Sequence, residues 1–239
     1  MITIEKTDVY GWEAAIRGMR NPKNSWDKSD SCYTTRCFGC GAVSDYVIGE
    51  NDLKLMKSLS KAGSDHGKFL RFINVTVDIT APLYWWKEFD TYKVGTVANS
   101  CSTMHKIHAK EFELSDFSCE HLINPTFSKH NPLKVLNATI EELNYWRDAY
   151  IKTVNNDIDA PIWMIDGKEA TAKDLWWQMI QLLPSSYNQK RTIHLNYEVL
   201  VGMYKDRKDH KLDEWHVLCD WIKTLPYSEI ITGDYDFLK

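Results

Sequence analysis

Two cysteines separated by two residues, Cys37 and Cys40, form the motif with the most direct chemical meaning. A Cys-x-x-Cys pair can supply half of a zinc site or act as a redox dithiol. Cys32 with a histidine could supply the other half, but no second Cys-x-x-Cys or His-x-x-x-His pair lies nearby. We therefore predict no metal site and six free thiols in a reducing compartment.

Asn196 follows an alternating strand pattern at residues 191–195 and precedes an apolar helical pattern. Its residue type and position predict a helix N-cap. Because helix N-termini also attract anions, this role is compatible with ligand binding. Nearby, Tyr187 is suited either to core packing or to stacking on a flat ligand. Arg207 lies in the charged run KDRKDHK, and most such runs form a solvated surface.

Hydrophobic periodicity predicts the elements that would position these residues. A polar loop is expected at residues 21–46, and a short hairpin at residues 162–169. Strands are predicted at residues 71–79 and 191–195. Helices are predicted at residues 8–20, 53–62, 83–94, 99–113, from residue 139, at 171–183, 196–205 and 212–225.

Composition limits the classes of protein to which the chain could belong. With 239 residues, the first expectation is a single domain spanning residues 1–239. The net charge of −4 provides no general basic surface for nucleic acid. No apolar run approaches the ~20 residues that span a bilayer, and no secretion signal is evident, so we expect a cytoplasmic protein without a membrane partner. Ten tryptophans favour oligomer interfaces or stacking surfaces.

The order of elements resembles that of the flavin-dependent thymidylate synthases from about residue 10 to about residue 226. In that family a Leu-Pro step ends a helix, a strand crosses, and the segment N-x-x-x-L-x-x-x-x-x-x-R precedes an amphipathic helix. An Ala-Pro step lies between an upstream strand and the helix that leads to the family's signature motif. The matching residues are Ala81-Pro82, Leu183-Pro184, Asn196, Leu200, Arg207 and Glu214-Trp215.

The signature R-H-R-x-x-S-x-N-E-x-S-x-R-Y is strongly altered in this chain. Its Arg-His-Arg positions fall on Asp90, Thr91 and Tyr92, which carry no positive charge. A two-residue shift recovers Asn99 and Ser102, and other signature positions become Ser100, Met104 and His105. The upstream loop retains one histidine, His66, and the arginine expected four residues before Pro184 is Ile180.

The resemblance implies an α+β fold with a central sheet flanked by helices, assembled as a homotetramer with active sites between subunits. In the family, FAD carries reducing equivalents from NADPH, and methylene-tetrahydrofolate supplies a one-carbon unit to C5 of dUMP. The implied reaction needs no protein nucleophile, so no catalytic residue is predicted. The protein would hold flat or anionic molecules in contact and stabilise negative charge.

The resemblance also assigns candidate site residues. Arg207, rather than the adjacent Lys208, is predicted to face a pocket, since a planar guanidinium suits a phosphate or the uracil carbonyls. Lys87 and Lys93 could replace the lost arginines as point charges. The predicted nucleotide-binding residues are Asn196, Arg207, Lys190 and Tyr187, and the predicted cofactor-binding residues are His66, Lys93, Asn99, Ser102 and His105.

Three functions are consistent with these features. The first is a methyltransferase similar to flavin-dependent thymidylate synthases, acting on dUMP or a related pyrimidine deoxynucleotide. The second is a non-catalytic protein on the same fold that sequesters or senses a nucleotide. The third is a structural oligomer without a ligand. Flavin binding distinguishes the first function from the other two.

Overall fold

The structure is a computed structural model that describes residues 2–38 and 41–234. Its strands are β1 (Thr3–Tyr10), β2 (Cys32–Phe38), β3 (Gly41–Val47), β4 (Asn74–Pro82), β5 (Val97–Ser100), β6 (Met164–Ile165), β7 (Lys168–Glu169) and β8 (Asn188–Asn196). Its α-helices are α1 (Trp12–Arg20), α2 (Glu50–Lys61), α3 (Leu83–Phe89), α4 (Pro132–Val154), α5 (Ala172–Leu182), α6 (Tyr197–Arg207), α7 (Asp213–Lys223) and α8 (Glu229–Thr232).

The main sheet contains four strands in the order β1-β4-β8-β5. Strand β4 alternates between buried and half-buried positions, and its buried members include Val75, Val77 and Ile79. This is the period of two expected for a strand with one buried face. The main sheet together with the α-helices confirms the predicted α+β class.

The chain divides into two compact units. The first unit comprises the described residues of Met1–Thr3, Thr80–Phe89 and Ser100–Arg191, and the second comprises those of Ile4–Ile79, Asp90–Asn99 and Thr192–Lys239. The single domain expected from chain length stays a prediction.

In the first unit, α4 and α5 pack around a shared apolar core. Helix α4 begins at Pro132, earlier than the predicted residue 139, because Asn131 caps it and accepts a hydrogen bond from the Lys134 backbone. Helix α5 begins as predicted, with a reciprocal capping box between Thr171 and Asp174. The core cluster consists of Ile107, Phe112, Phe117, Leu136, Ile140, Leu143 and Met179.

The tryptophan pair of α3 lies in the interior of the first unit. Trp85 and Trp86 are almost completely buried, and Trp86 Nε1 donates a hydrogen bond to the Gln189 carbonyl at 2.9 Å. These two rings therefore contribute to the core of their own chain. Trp177 on α5 differs from them, since its side chain is exposed.

The second unit corrects the prediction of a loop at residues 21–46. Two short 3₁₀ helices, Asn21–Lys23 and Trp26–Lys28, precede an antiparallel hairpin formed by β2 and β3. Tyr33 pairs with Tyr46 across the hairpin, with ring centroids 5.0 Å apart. Aromatic cross-strand pairs stabilise such ladders without a long apolar pattern, which is why hydrophobic periodicity missed the hairpin.

Three predicted helices also need correction. Residues 8–20 contain the end of β1 as well as α1, because Gly11 adopts φ +94° between them. The helix predicted at residues 83–94 ends at Phe89. The helix predicted at residues 99–113 is absent from this described stretch, where the end of β5 is followed by turns. Within this stretch, the Cys101 N–H donates to the Lys190 carbonyl, so strand-type pairing takes the place of helical hydrogen bonds.

The predicted short hairpin near residues 162–169 is confirmed by the antiparallel pairing of β6 with β7. Among the described residues, no helix has both the length and the apolar character required to cross a membrane.

Candidate functional site

Asn196 ends β8 and caps α6 in the second unit. Its Oδ1 accepts a hydrogen bond from the Val199 backbone N–H at 3.1 Å, which confirms the predicted N-cap. Its Nδ2 makes no hydrogen bond with any residue that the structure describes. This amide can therefore donate to a phosphate or carbonyl oxygen of a ligand.

The segment Asp90–Asn99 approaches Asn196 closely at Gly95. A methyl group added at Gly95 would lie 3.1 Å from Asn196 Nδ2, and Gly95 adopts φ +79°. The adjacent Thr96 hydroxyl is buried and has no hydrogen-bond partner within residues 2–38 and 41–234. Leaving a buried hydroxyl unpaired costs roughly 1–3 kcal/mol, so a ligand atom or water at this position would be stabilising.

We predict that Gly95→Ala lowers the free energy of unfolding by about 1–3 kcal/mol, because an L-residue is strained at positive φ and the new methyl group crowds Asn196. Gly202→Ala is the matched control. Gly202 lies within α6, and a methyl group there would meet nothing within 4 Å. This control should gain roughly 0.5–1 kcal/mol from helix propensity. Urea unfolding measures both changes, and equal shifts of the same sign would contradict the prediction.

Arg207 is held between two aromatic rings at the end of α6. Its Nε donates a hydrogen bond to the Tyr92 hydroxyl at 2.9 Å. Its guanidinium carbon lies 4.5 Å from the Trp215 ring centroid and 5.5 Å from that of Tyr92. Arg207 is half-buried, whereas its neighbour Lys208 is exposed. The interpretation of Arg207 as one solvated charge in KDRKDHK is therefore wrong.

Tyr92 occupies one of the positions at which the resembled family carries an arginine. Burial, together with the neighbouring Asp206, raises the pKa of Tyr92 more than Arg207 lowers it, so the phenol is protonated at neutral pH. The hydroxyl thus orients the guanidinium as a neutral group. A planar cation held in this way is preorganised for paired hydrogen bonds with a carboxylate, phosphate or pyrimidine edge.

A cavity of about 400 Å³, here called the α6 cavity, lies within the second unit. Lys61, Lys205 and Lys208 contribute positive charge to its lining. The Ser60 hydroxyl in this lining is buried and has no hydrogen-bond partner among the described residues. Lys208 therefore lines a cavity, although the resemblance predicted that Arg207, and not Lys208, faces a pocket. The other lining residues are Gly63, Ser64, Gly67, Leu70, Glu198, Val201, Tyr204, Ile230, Ile231, Thr232 and Gly233.

The remaining cofactor candidates of the second unit are His66, Lys93 and Asn99. All three are exposed, and Asn99 lies on β5, whose four residues are all exposed. His66 precedes a 3₁₀ helix at Gly67–Phe72, and its neighbour Gly67, rather than His66 itself, lines the α6 cavity. Their roles in ligand binding stay predictions.

In the first unit, Ser102 and His105 lie on one turn. The Ser102 hydroxyl accepts hydrogen bonds from the backbone N–H groups of Met104 at 3.3 Å and His105 at 2.8 Å. His105 also lines a cavity of about 300 Å³, here called the α5 cavity. Its other lining residues are Met104, Tyr150, Ala172, Lys173 and Trp176.

The α5 cavity combines flat rings with positive charge. Trp176 Nε1 donates a hydrogen bond to the Met104 carbonyl at 2.9 Å, which fixes the orientation of the indole. Tyr150 and Lys173 complete a surface that suits an anionic molecule with a planar group. Lys173 and Trp176 were not among the predicted site residues, because their spacing on α5 indicates only an amphipathic helix.

Tyr187 and Lys190 also belong to the first unit. The Tyr187 ring packs 5.6 Å from that of Phe117 and 6.2 Å from that of Phe112, so it contributes to the core. The Lys190 carbonyl accepts the Cys101 N–H at 2.9 Å. Arg191 lies 4.2 Å above the Trp86 ring, so this cation is also held by an aromatic residue. Nucleotide binding by Tyr187 and Lys190 stays a prediction.

The described residues contain no group of three or more His, Cys, Asp or Glu side chains that could hold a metal ion. Within the described part of the chain, four thiols are free, those of Cys32, Cys101, Cys119 and Cys219. Cys40 and the side chain of Cys37 lie outside the described residues, so the predictions made for this motif stay predictions.

No protein-family model matches the sequence, and no curated protein matches it either. Solved structures do match. Thymidylate synthase X of Helicobacter pylori, crystallised with FAD and dUMP, has a TM-score of 0.61 and 15% identity, covering 98% of both chains. A second structure of the H. pylori flavin-dependent enzyme with FAD and dUMP has a TM-score of 0.60 and 15% identity, covering 97% of both chains.

A third solved structure is the UMP/dUMP methylase PolB of Streptomyces cacaoi, bound to 5-Br dUMP. It has a TM-score of 0.58 and 13% identity, covering 98% of this chain and 95% of PolB. At such identities the likeness concerns the fold alone. The chain therefore has the fold shared by the flavin-dependent thymidylate synthase of H. pylori and this UMP/dUMP methylase.

Proposed function

We propose that the chain is a methyltransferase similar to flavin-dependent thymidylate synthases, acting on dUMP or a related pyrimidine deoxynucleotide. The observation that carries this proposal is the fold match over nearly the whole chain. Two enzymes with different names, a thymidylate synthase and a UMP/dUMP methylase, share this fold and were each crystallised with a uracil nucleotide. A pyrimidine nucleotide is the ligand class common to both.

Arg207 and Asn196 supply the chemistry for nucleotide recognition. The Arg207 guanidinium is fixed by Tyr92 and Trp215, so little side-chain entropy is lost when it binds a phosphate or a uracil carbonyl. Asn196 offers Nδ2 as a donor beside the unpaired Thr96 hydroxyl. Lys190 and Tyr187 are proposed as supporting nucleotide contacts.

FAD is the proposed cofactor, and each unit, taken by itself, has a cavity that suits one kind of chemical group found in FAD. In the second unit, the Ser60 hydroxyl and three lysines of the α6 cavity fit an anionic group. In the first unit, the α5 cavity presents Trp176 and His105 to a planar group. When bound, FAD would supply reducing equivalents, with NADPH and methylene-tetrahydrofolate as co-substrates. His66, Lys93, Asn99 and Ser102 are the further proposed flavin contacts.

A non-catalytic nucleotide-binding protein is the second candidate, and one observation favours it. The Arg-His-Arg positions of the resembled signature are Asp90, Thr91 and Tyr92, and Tyr92 is hydrogen-bonded to Arg207. This arrangement keeps a cation for nucleotide binding while removing cations from the flavin signature. A protein that sequesters or senses a nucleotide would need only the retained cation, Arg207, and not the cations of the flavin signature.

Flavin content separates the two candidates. The methyltransferase proposal predicts a yellow protein whose flavin absorbance is released on denaturation, or a colourless protein that becomes yellow with added FAD. In both candidates, dUMP at about 100 times its Kd should stabilise the fold by about 2.7 kcal/mol. Binding of dUMP without FAD would support the sensor, and binding of neither ligand would contradict both proposals. Methyl transfer to dUMP with NADPH and methylene-tetrahydrofolate then tests the reaction itself.

We also propose a homotetramer. Large apolar side chains are exposed in the first unit, among them Ile158 at 97%, Ile162 at 73% and Met164 at 63%. Contiguous exposed apolar side chains favour protein–protein contact. Light scattering at micromolar concentration should give four times the mass of one chain, and a monomer would contradict the proposal. The free thiols of the described residues suit the proposed reducing cytoplasm.

A further inference from the structure

We infer that the second unit carries an additional anion site, a cleft that binds the phosphate group of a small organic phosphate. The cleft, here called the α1 cleft, has a volume of about 560 Å³. Its lining residues are Arg20, Lys23, Ser25, Lys28, Asn51 and Leu55. It shares no lining residue with the α6 cavity and uses neither Asn196 nor Arg207.

Arg20 lines the cleft and is only 4% exposed. Its Nε donates to Asp52 Oδ1 at 2.6 Å, and its Nη1 donates to the Ser25 carbonyl at 3.1 Å. Its Nη2 makes no hydrogen bond with any residue in the described part of the chain. The ion pair thus fixes the guanidinium and leaves one donor group for a ligand in the cleft.

Lys23 and Lys28 add the charge that Arg20 alone does not provide. Each ends one of the two 3₁₀ helices, and neither forms an ion pair with a residue that the structure describes. Because Asp52 neutralises Arg20, these two lysines leave a local excess of positive charge. The residues that line the cleft, all of them described, include no acid.

Two carboxylates near the cleft, those of Asp52 and Asp30, accept hydrogen bonds from other groups of the protein. Asp52 also accepts hydrogen bonds from Ser29 and Ser31. Asp30 accepts the backbone N–H groups of Asn51 at 2.9 Å and Asp52 at 3.1 Å, so it serves as a cap for the first turn of α2. These bonds orient both carboxylates toward the protein. An anion in the cleft can therefore approach Lys23 and Lys28.

The charge and size of the cleft favour a phosphate ester over a simple carboxylate. Two ammonium groups and one fixed guanidinium amine match the several oxygens and the double charge of a phosphate. Leu55 provides an apolar wall, and the volume falls within the ~300–1,000 Å³ typical of small-molecule pockets. The inferred ligand is therefore an organic mono- or diphosphate.

Calorimetry with pyrophosphate and with ADP, at one fixed salt concentration, tests this inference. The double variant Lys23→Ala/Lys28→Ala should weaken binding of both probes at least tenfold. Arg20 is left intact because its loss would disturb folding. The control Lys54→Ala/Lys152→Ala removes the same charge from two lysines that pair with acids on their own helices. This control should bind both probes as the unchanged protein does.

The outcomes separate the α1 cleft from the proposed nucleotide site. Tighter binding of ADP than of pyrophosphate would support a ligand with an organic body, and equal binding would support recognition of the phosphate groups alone. The affinity for dUMP should be unaltered in the Lys23/Lys28 variant, whether or not the proposed methyltransferase activity exists. Absence of saturable binding, an equal loss in the control, or complete competition by dUMP would overturn the inference.

Discussion

Replacing Asp52 with asparagine is expected to lower the free energy of unfolding by about 3–5 kcal/mol, which is the usual cost of leaving one member of a buried ion pair alone. Asp52 is completely buried and receives hydrogen bonds from Arg20, Ser29 and Ser31. Its Oδ2 also accepts the backbone N–H groups of Asp30 and Ser31. The carboxylate therefore joins α1, α2 and the segment before β2.

Urea unfolding at pH 7 measures this loss. Asp220→Asn is the matched control, because Asp220 is an exposed residue that pairs with Lys223 three positions later on the same helix. Exposed ion pairs of this type contribute little to stability. A change in Asp52→Asn no larger than that in the control would contradict the proposed importance of the buried pair.

The same carboxylate makes stability depend on pH. Burial alone would raise the pKa of Asp52, but hydrogen bonds from Ser29, Ser31 and Arg20, together with the positive charge of Arg20, outweigh burial and hold the pKa below its ordinary value. The folded state therefore binds this proton more weakly than the unfolded state does. The contribution of Asp52 to the free energy of unfolding is present above its unfolded pKa of about 4. This contribution is lost as the pH falls through the lower pKa of the folded state. Asp52→Asn should consequently flatten the decline of stability below about pH 4.

Replacing Arg207 with alanine is expected to weaken dUMP binding about ten- to over a hundredfold. Charge-assisted hydrogen bonds contribute roughly 1.5–3 kcal/mol, and each 1.4 kcal/mol corresponds to a factor of about ten. Stability should fall as well, because the substitution removes the hydrogen bond to Tyr92 and the stacking on Trp215. Calorimetry with dUMP and urea unfolding measure the two effects separately.

Three further variants separate the possible roles of this arginine. Arg207→Lys retains charge but loses the planar fork, so it should recover only part of the affinity. Lys208→Ala tests the α6 cavity, because Lys208 lines that cavity and Arg207 does not. Lys211→Ala is the neutral reference, being exposed in the same charged run. Unchanged dUMP affinity in Arg207→Ala, with a loss in Lys208→Ala, would transfer the nucleotide site from Arg207 to the α6 cavity.

Features that depend on neighbouring residues were predictable from the sequence. The start of α5 at Thr171, the Asn196 cap and the alternation of β4 were all found where the pattern placed them. Each depends on backbone groups within three residues or on one repeating period. The order of such elements also sufficed for the α+β fold class, although sequence identity to the matching structures is only 13–15%.

Features that depend on distant residues were not predictable in the same way. The β2–β3 hairpin lacks an apolar period, and residues 101–109 form bends and a turn because pairing with β8 replaces helical bonding near Cys101. Likewise, nothing in the pattern around α5 indicates that Trp176 hydrogen-bonds to Met104, which lies 72 positions earlier.

The sequence by itself determined elements such as β4, α5 and α6, the fold class and the presence of an arginine eleven positions after Asn196. Only the tertiary structure decided what surrounds that arginine. Tyr92 lies 115 positions from Arg207, yet its hydroxyl and the Trp215 ring hold the guanidinium, while the adjacent Lys208 lines the α6 cavity. The physical reason is that helical neighbours point about 100° apart, so packing against other segments determines the environment of each side chain.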